Sequence, residues 1–158
     1  MKRMSYQTIL RRLKLEKVKK AIVSEIRCAE NTNTTIALSL ALGIFLAFSP
    51  AWGFQTVLAI SLALLLKLNK VLTLITVNIS SVPPLIPLIV IAGYQTGALL
   101  LHGEFQEDIP DLMNLSKLGE NYLQFALGSL IVASGLGIFF YLMFYLLLKR
   151  FRGNLNDA

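Results

Sequence analysis

The sequence predicts an all-α membrane protein, and three observations predict it: an oily composition, two long apolar stretches broken by proline, and charges segregated along the chain. Of 158 residues, 55% are hydrophobic and 15% charged, and mean hydropathy is positive. That is too apolar for a soluble domain, and the length allows one domain. The net charge of +6 is not spread as a nucleic-acid groove would need. Residues 1–30 hold nine Lys/Arg against three Glu, Lys67 and Lys70 separate the two broken stretches, and Lys149, Arg150 and Arg152 follow the last apolar run. Residues 103–121 instead carry Glu104, Glu107, Asp108, Asp111 and Glu120 against Lys117. Basic flanks alternating with one acidic loop follow the positive-inside rule. They predict cytoplasmic termini, a lipid bilayer as the main partner and no nucleic acid.

Residues 1–35 form a basic segment. Leu15, Val18, Ile22, Ile26 and Ala29 recur at helical spacing, with Lys14, Lys17, Lys19, Lys20 and Arg27 on other faces. Such an amphipathic helix either lies among anionic lipid headgroups or packs on the base of the protein. The lone Cys28 allows no internal disulfide, and no cleaved signal peptide is expected, because the basic region runs too far before an apolar core. Asn31 to Thr35 offers N-cap oxygens for the first membrane helix.

Residues 36–148 form the integral domain. Ile36 to Phe48 is 13 residues, about 20 Å of helix against a hydrocarbon core of about 30 Å. Phe54 to Leu66 falls equally short. Two short arms joined through Ser49, Pro50 and Gly53 predict a re-entrant hairpin over residues 36–66, with both ends beside Lys67 and Lys70. Residues 71–101 are interrupted between Asn78 and Pro87, with Pro83 and Pro84 at the centre. Lysines precede this stretch and acids follow it, which predicts a broken span from inside to outside. The rival topology exchanges these roles and places Lys67 and Lys70 outside. The spacing of 33 positions between Pro50 and Pro83 also raises an internal repeat, with little residue-level similarity behind it. Residues 103–121 are the external acidic loop. Residues 122–148 contain no proline and form a transmembrane helix, with Ser129, Ala133 and Gly137 as a packing face. Residues 149–158 are a basic cytoplasmic tail.

Between Glu30 and His102 there is no Asp, Glu, His or Arg. Proton carriers place such groups in the membrane, and hydrolysis needs a nucleophile with a base or a liganded metal. His102 stands at a helix end and reads as a solvated interfacial residue. No catalytic residue, metal or cofactor is therefore expected. The broken zones offer neutral polar groups: Ser49, Gln55 and Thr56 at one, Asn78, Ser80 and Ser81 at the other. With exposed helix ends they could hold a polar headgroup, or they could only cap one another's helices. A chain this small cannot enclose its broken segments alone, which predicts a homodimer or larger.

The order of several motifs resembles the bacterial family known as domain of unknown function 2062. These are Ile36-Ala37-Leu38, Ala41-Leu42-Gly43-Ile44-Phe45, Pro50-Ala51-Trp52-Gly53-Phe54-Gln55, Lys67-Leu68-Asn69-Lys70, Asn78 through Pro83-Pro84, and Tyr94-Gln95-Thr96-Gly97. The resemblance covers roughly Lys20 to Leu148. Ile79 stands where the family has proline and Ser81 where it has threonine, so a rigid turn at Asn78 is not assured. The resemblance implies an integral protein of the bacterial inner membrane without an established activity. Relatives fused to glycosyltransferase-like domains point to envelope lipid or polysaccharide metabolism. Two functions follow as expectations: non-enzymatic handling of an envelope lipid or lipid-linked saccharide, or a scaffold docking an envelope-synthesis enzyme.

Overall fold

The computed structural model describes residues 16–25, 32–51, 53–81, 85–105 and 122–156. Every regular element among them is helical. Helix α1 covers residues 16–25. It is followed by α2 (Asn33–Phe48), α3 (Gln55–Leu65), α4 (Lys70–Val77), a 3₁₀ turn (Asn78–Ser81), α5 (Leu85–His102) and α6 (Tyr122–Asn156). The apolar stretch Leu85–His102 and the 30 residues Tyr122–Phe151 are long and apolar enough to cross a membrane. Only 11% of the α6 window is buried within the chain. The rest of that helix needs an apolar solvent, and the architecture is that of an all-α membrane protein.

Local chemistry sets the helix boundaries. Thr32 caps α2, its Oγ1 accepting from the Thr35 N–H at 3.1 Å. Asn69 caps α4, its Oδ1 accepting from the N–H groups of Val71 and Leu72 at 3.0 and 3.2 Å. Helix α3 ends on a left-handed residue in a Schellman arrangement. The Leu68 N–H donates to Ala63 O at 2.7 Å and the Lys67 N–H to Leu64 O at 3.2 Å. Helix α6 runs on through Lys149 and Arg150 to Asn156. The acidic loop lies beyond the described residues from 106 to 121.

The two breaks resolve differently. Helix α3 folds back along α2, and Leu46, Ala59 and Val77 share one core with Leu42, Phe45, Leu62 and Leu74 around it. Helix α4 then runs parallel to α2. The two backbones come close at Gly43, where an added Cβ would sit 2.6 Å from Thr76 Cβ and 2.7 Å from Thr73 O. Beyond the 3₁₀ turn, α5 packs on α6, so α4 and α5 follow one another as a broken column. Helix α6 runs antiparallel past both halves. Near its start, Gly128 and Gln124 meet Gly93 and Gly97 of α5, and farther on Gly137 meets Ala41 and Phe45 of α2. The residues expected to pack do so here: Ser129 and Ala133 are buried and Gly137 faces α2. The start of α2, the α3–α4 linker and the end of α6 therefore share one end of the molecule. The packing brings the two breaks to a common level in its middle.

Candidate functional site

The residues flanking the breaks are drawn together because Leu46 and Val77, at the ends of α2 and α4, occupy one core. Ser49 is buried and extended. Its Oγ donates to Leu46 O at 3.0 Å, and its N–H donates to the same carbonyl at 3.3 Å. Gly53 has φ +87, a conformation only glycine adopts without strain, and it turns the chain into α3. Gln55 is half-buried and has an interaction partner, and Thr56 is exposed. At the second break, Asn78 Nδ2 donates to Leu74 O at 2.6 Å. Pro87 falls in the first turn of α5, where its missing N–H costs nothing. The side chains of Ser80 and Ser81, together with Pro83 and Pro84, lie outside the described residues. The structure thus brings the two polar clusters to one level, with Ser49 and Asn78 bonded to the carbonyls of their own helices.

A larger feature lies toward the basic end. A groove of about 600 Å³ runs between α2, the α3–α4 linker and α6, lined among others by Leu38, Leu42, Phe45, Leu66, Leu68 and Tyr141. That volume is within the range of small-molecule sites, about 300–1,000 Å³. Its one other polar lining residue, Ser134, turns its hydroxyl to Leu130 O at 2.7 Å. Such a wall suits hydrocarbon.

The linker beside the groove is held by a polar network. Ser39, fully buried, accepts from the Asn69 N–H at 2.8 Å and donates to Thr35 O at 2.6 Å. Thr73 Oγ1 lies 3.1 Å from both Ser39 O and Asn69 O. Asn69 Nδ2 donates to Glu25 Oε2 at 2.6 Å, which ties α1 to the linker. Lys17, Lys19 and Lys20 on α1 are exposed, as are Val18 and Val23. Lys67 and Lys70 are exposed on either side of Asn69. His102 is exposed at the opposite end, at the close of α5.

Sequence reasoning found the polar breaks but missed the groove. The only signal for it was Leu-Lys-Leu-Asn-Lys at 66–70, which reads as a boundary marker until α6 is seen alongside. Tyr94, which opens the last of the motifs shared with the family, is buried, and its carbonyl accepts from Gln124 Nε2 at 3.2 Å.

Residues 17–155 match the model of a family described as "Uncharacterized protein conserved in bacteria (DUF2062)". No curated protein and no solved structure matches the chain.

Proposed function

We propose that this chain, which belongs to the uncharacterised bacterial family DUF2062, is a non-enzymatic protein of the inner membrane that holds an envelope lipid or lipid-linked saccharide for handling or transfer. The observation that carries this reading is the apolar groove between α2 and α6. A groove with hydrocarbon walls beside a polar, lysine-bearing linker matches an amphipathic molecule better than a water-soluble one. In this reading α6 crosses the bilayer, α4 and α5 cross as a broken span, and α2–α3 re-enters with its tip at mid-depth. The end bearing Lys67, Lys70, Lys149 and Arg150 faces the cytoplasm, in keeping with the positive-inside rule. Irregular backbone at that depth must be covered by protein, and a second copy of the chain would cover the exposed Gly53 and Phe54.

The test is retention of lipid by the purified protein. Mass spectrometry of wild type released from mild detergent is expected to find a bound lipid. Leu42→Trp, which fills the groove from a half-buried position, is expected to lose it at unchanged expression. Equal retention by both proteins would sink the reading.

The scaffold reading has one observation of its own. Helix α1 is fastened at Glu25 while Lys17, Lys19 and Lys20 point to solvent, an arrangement suited to an acidic partner or to anionic headgroups. It would gain if Gln at those three lysines removed an envelope-synthesis enzyme from co-purified material and left lipid retention intact.

A further inference from the structure

We propose that Lys67 and Lys70 hold the phosphate of an anionic phospholipid whose acyl chain lies in the groove between α2 and α6. This rests on the groove being a lipid site and adds the class of headgroup.

Two local rules are broken within four positions at the groove's edge. Lys67 has φ +53 and is the one non-glycine residue with positive φ among those described. It occupies the left-handed position after α3 that is usually glycine, since a Cβ there crowds the backbone. Its neighbours Leu66 and Leu68 both line the groove, and Lys67 is exposed between them. Lys70 opens α4, where the partial positive charge of the helix end disfavours a cation. Asn69 between them already accepts from the Val71 and Leu72 amides of that helix, so those groups do not explain the lysine. Among the described residues neither ammonium has an acidic partner; the nearby Glu25 is bonded to Asn69.

Strained or locally disfavoured residues persist where the surroundings offset their cost, and they gather at functional sites. A phosphate between Lys67 and Lys70 would offset both: it neutralises two like charges and forms charge-assisted hydrogen bonds. The adjoining groove selects a lipid phosphate over a free ion, because its walls give an acyl chain the apolar contact that phosphate alone cannot use. A zwitterionic lipid also carries a phosphate, but its own ammonium offsets that charge and leaves the two lysines less fully neutralised.

The experiment is native mass spectrometry of the full chain in neutral detergent, with phosphatidylglycerol and phosphatidylcholine of equal chain length added at equal concentration. Wild type is expected to retain phosphatidylglycerol in preference by roughly thirtyfold, the scale set by two surface cations against one anionic lipid. Lys67→Gln with Lys70→Gln should abolish the preference and leave phosphatidylcholine retention as it was. Lys67→Gly, which suits the left-handed backbone, should weaken the preference in a protein that is no less stable, separating charge from folding. If the double variant keeps the preference, or if Lys19→Gln with Lys20→Gln removes it instead, the headgroup assignment is overturned while the groove reading stands. Displacement of bound lipid by inorganic phosphate alone would likewise overturn it in favour of a free-anion site. If Leu42→Trp leaves both lipids bound, the groove reading itself falls.

Discussion

The backbone N–H of Asn69 donates to the hydroxyl of Ser39 at 2.8 Å, across 30 positions of chain. This bond fixes the start of α4 beside the first turns of α2, and the Thr73 hydroxyl, within 3.1 Å of Ser39 O, adds a second tie. It sits where an amide without a partner would be costly. The α3–α4 linker is irregular backbone, and Ser39 has no solvent exposure.

Ser39→Ala should therefore destabilise the fold by about 1–3 kcal/mol, the cost of stranding a buried donor. Thermal unfolding in detergent measures it, with Thr56→Ala at an exposed position expected to stay within about 0.5 kcal/mol of wild type. Equal midpoints for the two variants would mean that water reaches Asn69.

The crossing of α5 and α6 tolerates no side chain at Gly97 or Gly128, where an added Cβ would overlap backbone of the facing helix. Gly97→Leu and Gly128→Leu should each cost more than the 1–3 kcal/mol typical of overpacking and fail to give folded protein. Gly135 has open space around its would-be Cβ, and Gly135→Ala should be neutral or stabilising by up to about 1 kcal/mol. Expression and detergent-phase gel filtration of the three variants decide the point.

Lys67→Gly should raise stability by about 1 kcal/mol, because it relieves the left-handed strain of a residue with a Cβ. A lowered unfolding midpoint would show that the lysine side chain contributes packing that outweighs the strain.

Ser49→Ala and Asn78→Ala each remove a side-chain donor to a helix-terminal carbonyl, Leu46 O and Leu74 O. Each should cost about 0.5–1.5 kcal/mol with lipid retention unchanged. Loss of retention at wild-type stability would instead make the polar seam at the breaks the ligand site.

Glu25→Ala should free α1 from the linker by deleting the acceptor of Asn69 Nδ2. Trypsin should then cut at Lys17, Lys19 or Lys20 faster than in wild type, with the fragment beyond α2 intact. An unchanged cleavage rate would mean that other contacts hold the helix.

Much of the architecture was legible in the chain. Helix lengths follow from the spacing of Pro50 and Pro83, and the N-cap at Thr32 from a run of hydroxyl and amide side chains. The packing face at Ser129, Ala133 and Gly137 follows from small residues at helical spacing. Asn69 was less legible: its position before an apolar run marks a cap, but nothing local shows that its amide reaches Glu25. Gly43 and Gly128 read as ordinary membrane-helix glycines until a partner helix is placed against them.

By itself the sequence determined that the chain is helical, apolar and broken twice, since residue type, period and proline act through local backbone chemistry. Only the tertiary structure decided that the breaks meet at one level through Leu46 and Val77. It also decided that the basic linker borders an apolar groove. Those relations depend on which surfaces pack across 30 or more positions, and packing is settled by the fit of whole helices rather than by the preferences of their residues.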